Sequence, residues 1–151
     1  MEGEIKGRIV SIEEKVDYRG TTQEVVEVEV GDGNTIKVFD EAGALDQDMV
    51  GETYQMSLMF LVESAEVNAL QRAIEPEEGS KSYYCLVSGD ILEKGLREHG
   101  DGVLNLLSLD VGEGTVLVRF DESRGIWTEI SEGDTIRVLA NKIVLLDVAS
   151  N

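Results

Sequence analysis

The sequence predicts an all-β protein: two tandem five-stranded barrels from an internal duplication, joined by a short helix and linker. Three observations predict it. An ordered series of residues recurs at an offset of 81 or 82, the mark of a repeated structural unit. Apolar and polar residues alternate at matching places in both halves, as in half-buried strands. Glycine-centred turns separate the alternating runs. The chain of 151 residues, 42% apolar, is long enough for one ordinary domain or two of the smallest, and too apolar for a disordered acidic tail.

The elements follow in order. First strands are expected over 4–16 and 84–92, with Ile5, Gly7 and Ile9 matching Val87, Gly89 and Ile91; a glycine inside a strand suits the sharp bend of a small barrel. In the second strands Val26, Val28 and Val30 alternate with Glu27 and Glu29, as Leu107, Leu109 and Val111 do with Ser108 and Asp110. Gly31-Asp32-Gly33 and Gly112-Glu113-Gly114 are hairpin turns, because glycine reaches the positive φ angles required. Third strands return over 34–39 and 115–120. Leu45 and Met49, like Ile126 and Ile130, are placed to plug the barrel bottoms. Fourth strands are expected over 52–58 and 134–140 and fifth strands over 60–67 and 142–148, each pair joined by a hairpin. Arg119 stands where the offset puts the inward-pointing Val38, which a bulge or a local slip of the alignment would explain. Five strands, a mid-strand glycine and a plug between the third and fourth describe an OB-fold. The barrels are assigned to residues 1–67 and 83–151. Between them, Val67, Leu70 and Ile74 have helical spacing, and Pro76 to Ser82 reads as a linker.

Composition narrows the function. The net charge is −18, and neither half is basic: residues 1–75 hold 6 basic and 17 acidic side chains, residues 76–151 hold 7 and 14. Proteins that grip nucleic acid through its phosphates usually cluster Lys and Arg. One cysteine and one histidine exclude an internal disulfide and leave too few soft ligands for a typical zinc site. No apolar run approaches the roughly 20 residues of a membrane-spanning helix, so a reducing cytoplasmic location is expected. No nucleophile is paired with a base, since Cys85 starts a strand and His99 lies in a loop, and no phosphate-cradling or dinucleotide motif appears. A non-enzyme without cofactor or small-molecule substrate is expected.

One stretch carries a resemblance. Val28-Glu29-Val30-Gly31-Asp32-Gly33-Asn34-Thr35-Ile36-Lys37-Val38-Phe39-Asp40-Glu41, followed by Ala44-Leu45 and Gly51-Glu52-Thr53, resembles the single-stranded-DNA-binding OB domains of replication protein A. The second copy keeps Phe120-Asp121-Glu122 and Gly133-Asp134. The resemblance covers about thirty residues per copy, and OB-folds in general share much of the pattern. It implies that Phe39 and Phe120 stack on bases, an interaction worth about 1–3 kcal/mol per base without sequence readout. Lys37, Lys15, Tyr18 and Arg19 would flank the strand, although Glu27 and Glu29 share that outer face. The acidity then has two readings: an ordinary acidic protein, or an archaeal, halophilic one whose charges are screened over about 3 Å near molar salt.

The alternative is an acidic OB-fold module that docks on protein, in a replication complex or virion, or as a DNA mimic, without touching nucleic acid. Leu58 and Met59, at the apolar tip expected between the fourth and fifth strands, and Trp127, out of register with the plug residues and therefore either an extra plug or a surface anchor, are its candidate contacts.

Overall fold

Alternation carries the chain through nine strands in the computed structural model, which describes residues 3–16, 18–31, 33–67, 72–76, 83–100, 102–121 and 125–149. The strands are β1 (Ile5–Val16), β2 (Thr22–Val30), β3 (Asn34–Phe39), β4 (Thr53–Val67), β5 (Ala73–Pro76), β6 (Cys85–His99), β7 (Gly102–Asp110), β8 (Thr115–Phe120) and β9 (Thr135–Ala149). Two 3₁₀ turns, Gln47–Met49 and Gly125–Thr128, precede β4 and β9. The strands form one sheet in the order β1-β2-β3-β9-β4-β8-β7-β6-β5, with β1 also paired to β4 and β6 to β9. Those two extra pairings close the sheet into two five-stranded circuits, β1-β2-β3-β9-β4 and β6-β7-β8-β4-β9.

Each circuit draws its closing strand from the other half of the chain. The expected hairpins between fourth and fifth strands do not form. Instead β4 and β9 each run straight through and pair antiparallel from Gln55↔Ala149 to Val67↔Ile136. Neither segment contains a glycine or proline, the strongest turn formers, although Asn141 stands where the second turn is expected. In β4, Met56, Leu58, Phe60 and Val62 are all buried, an unbroken alternation that holds the chain in one strand. The first part of β4 pairs with β1, and its later residues Met59–Leu61 lie parallel to Leu117–Arg119 of β8. Correspondingly, β9 starts against β6 and later meets β3 in parallel, Phe39 opposite Val144. Register shifts near Ser57, Leu61 and Val62 bend the shared pair as it passes from one circuit to the other.

The helix expected around Val67, Leu70 and Ile74 is also replaced. Val67 ends β4, paired with Ile136, and Ala73–Pro76 form an edge strand on β6; Leu70 lies outside the described residues. Pairing with a waiting strand edge outweighs the weak helical spacing. No described helix is long and apolar enough to cross a membrane.

One hydrophobic cluster runs through both circuits, from Ile5 and Ile36 through Leu58 and Phe60 to Leu107 and Ile136. Leu45 and Ile130 are buried, and Met49 and Ile126 pack against the same cluster, as expected of plugs. Gly7 and Gly89 sit where a side chain would collide. A Cβ on Gly7 would fall 2.5 Å from Val28 Cγ1, and one on Gly89 2.5 Å from the Asp110 carbonyl oxygen.

The two β-hairpins differ by one residue. Val30 pairs with Asn34 in the first, whereas Asp110 pairs with Thr115 in the second, so the second loop is one residue longer. The third strands therefore superpose at an offset of 80. Ile36 and Val38 match Val116 and Val118, all buried, and Arg119 takes the outward place of Phe39. The odd arginine in the sequence is a slip of alignment, not a bulge, since the β7–β8 pairing continues through Arg119 without interruption.

Candidate functional site

At the end of β3, Phe39 points away from the core cluster yet is only 8% exposed. Tyr83 covers it, the ring centroids 5.2 Å apart and tilted by 54°. Lys142, from the later part of β9, lies over the other side, its Nζ 4.8 Å from the Phe39 ring centre. That ammonium donates to Glu41 Oε1 at 2.6 Å. Lys37 reaches the Tyr83 ring at 5.5 Å. Lys15 donates to Glu13 at 2.9 Å; this hydrogen bond and the charge behind it raise the Lys15 pKa and lower that of Glu13. Tyr83 and Glu27 also act electrostatically on Lys15, and Lys37 on Glu13. The outer face of the first circuit thus gathers an aromatic pair and three lysines, with Glu13, Glu27 and Glu41 interleaved.

The structure brings Phe39, Lys37 and Lys15 together: alternation puts Lys37 and Phe39 on the outer face of β3, and the register shift between Ile9 and Ser11 turns Lys15 of β1 outward, where unbroken alternation from Ile5, Gly7 and Ile9 would turn it in. Tyr18 and Arg19 lie farther out, at the tip of the β1–β2 hairpin. Tyr18 is 90% exposed, and the Arg19 guanidinium stacks on its ring at 5.2 Å while Nε donates to the phenol oxygen. Two residues of this face carried no expectation. Tyr83 follows the linker rather than a strand pattern, its only signal being the Tyr83-Tyr84 doublet. Lys142 opens the fifth strand expected over 142–148, where nothing in the sequence marks it as a site residue.

Three expectations are corrected by burial. Phe120 cannot serve as a stacking surface: the one-residue slip turns it into the core, where it is 2% exposed and packs 5.5 Å from Trp127. Leu58 is fully buried and Met59 half-buried, because β4 continues where an exposed tip was expected. Trp127 is half-buried against the core, held by Lys94, whose ammonium sits 4.8 Å from the indole and donates to the Trp127 and Ile130 carbonyls at 2.7 and 2.9 Å. It is an additional plug. Cys85 is buried, and no cluster of metal-ligating side chains occurs among the described residues.

Elsewhere the described cations are largely spent on structure. Arg8 pairs with Glu29, Arg72 with Asp90 and Asp110, and Arg137 with Glu66. The aromatic–lysine face of the first circuit is the main grouping of cations around exposed ring surface.

No protein-family model matches the chain, and no curated protein does. Among solved structures it is similar to the cytoplasmic molybdate-binding protein ModG, with 15% identity and a TM-score of 0.40 over 94% of this chain and 93% of that one.

Proposed function

We propose that the two circuits are OB-type barrels with exchanged fifth strands, and that the protein is a non-enzymatic binder of single-stranded nucleic acid, single-stranded DNA in the first instance. The circuit order of first, second, third, fifth, fourth and first strand, with the third and fifth parallel, supports the OB reading. The binding reading rests on one observation: Tyr83, lying on Phe39, is flanked by Lys15, Lys37 and Lys142 on the outer face of the first barrel. Tyr83 offers its ring to a base, and Phe39 supports it from below. The lysines meet the backbone after exchanging their carboxylates for phosphates; exposed pairs of this kind cost less than about 1 kcal/mol to break. Stacking carries the affinity, so binding persists at high salt better than a purely ionic contact would.

The test is an anisotropy titration of a labelled strand of about 30 nucleotides, at low and at molar salt. Wild-type protein should bind saturably at both, and Tyr83→Ala should lose about 1–3 kcal/mol, the worth of one base stack. Absence of saturable binding by wild type at either salt overturns the proposal.

A specific observation supports a second reading, the protein-docking module. Leu96 and Leu146, 69% and 39% exposed, border a cleft floored by Met56, Leu106 and Leu117. This mixed cleft, which also carries Glu4, Arg97 and Asp147, replaces Leu58, Met59 and Trp127 as the docking candidate. A Leu96→Glu variant that keeps full DNA affinity would separate the cleft from the aromatic–lysine face.

A further inference from the structure

The shared strands join the aromatic–lysine face to the second barrel without a break. Leu61 of β4 is registered with Lys142 of β9 on one side and with Arg119 of β8 on the other, so all three side chains rise from the same face of the sheet. Directly registered residues on neighbouring strands are about 4.8 Å apart, which places Arg119 two strands from Lys142. Arg119 occupies in the second barrel the place that Phe39 occupies in the first. It is exposed and has no ion-pair or hydrogen-bond partner among the described residues. Beside it opens a hollow of about 460 Å³, lined by Leu61, Val103, Leu104 and Asn141 with buried Phe120.

We infer that the protein holds one continuous track for a single strand rather than two separate grooves. The strand starts on Tyr83, crosses β9 and β4 at Lys142 and Leu61, and ends with a phosphate on Arg119 and a base in the hollow. Arg119 is a binding residue for the far end only. The inference rests on the proposed nucleic-acid reading and specifies its extent.

The experiment compares thymidine strands of about 3 and about 20 nucleotides, the shorter unable to span the three strand spacings of about 4.8 Å from Phe39 to Arg119, on the full chain and on Arg119→Ala. The variant should bind the short strand as wild type does and the long strand at least about tenfold more weakly, the scale of one charge-assisted hydrogen bond. Its salt slope for the long strand should be shallower by about 0.7, one phosphate contact fewer. Trp127, the only tryptophan, packs on Phe120 and reports directly on the hollow: the long strand should change its fluorescence, the short strand should not, and Arg119→Ala should abolish the change. Arg119 is exposed, so a circular-dichroism melt matching wild type establishes that the fold is intact. Equal affinity of wild type and Arg119→Ala for both lengths, with no Trp127 response, overturns the continuous track and leaves the first-barrel site standing. Failure of wild type to bind either length overturns both.

Discussion

Asp40, directly after Phe39, is 3% exposed and accepts from the backbone N–H groups of Ala44 and Leu45, both at 2.9 Å. It thereby holds the Leu45 plug in place. Glu24 lies beside it. Burial raises the Glu24 pKa above its ordinary 4.5, and the charges of Asp40 and Glu14 and a hydrogen bond with Asp40 raise it further. The folded state therefore binds this proton more tightly than the unfolded state, and stability falls as pH rises from the ordinary carboxylate range through the raised value. Glu24→Gln should raise the melting temperature at pH near 7, with the gain shrinking toward pH 4, where wild-type Glu24 is protonated; thermal melts across that range check it. At this scale the sequence is legible where alternation speaks. Phe39 and Lys37 share a face because their strand has a period of two, whereas Lys15 joins them only through the bulge between Ile9 and Ser11, which periodicity does not reveal. Phe120 was misplaced because one extra residue in a hairpin loop reverses the facing of everything after it, and the matching Phe-Asp-Glu triplets concealed that slip.

The third strands over 34–39 and 115–120 match β3 and β8 without change, whereas 84–92 stops seven residues short of the end of β6 and β5 lies where a helix is expected. The connections between strands were harder to infer. A hairpin between fourth and fifth strands is the default for neighbouring antiparallel runs, yet the signal against it was present: Thr53–Val67 and Thr135–Ala149 contain neither glycine nor proline. Which strand edge receives the second half of each run depends on contacts across about 80 residues of sequence, and periodicity carries no such information. The intra-strand glycines belong to this scale too. Gly89 packs against the backbone of Asp110, a neighbour less able to yield than the Val28 and Met56 side chains around Gly7. Gly89→Ala should cost about 1–3 kcal/mol, the range for forcing one methyl into a filled space. Gly7→Ala should cost less, and denaturant midpoints at constant slope measure both.

Taken whole, the molecule places a net charge of −18 on a sheet whose two closed circuits share β4, β9 and one core. Self-repulsion destabilises a compact state of such charge, and screening relieves it. The melting temperature should rise between low and molar salt, and Trp127 fluorescence and circular dichroism should report one coincident transition at every salt. Separate transitions would show that the shared strands do not couple the barrels. The long pairing of β4 with β9 also sets an order of events during synthesis. As the chain leaves the ribosome, residues 5–67 emerge with one edge of β3 and much of β4 unpaired, and the first circuit stays open until residues 142–149 appear. Unpaired strand edges invite association with other chains, so the N-terminal half spends most of its translation in the state most in need of a chaperone.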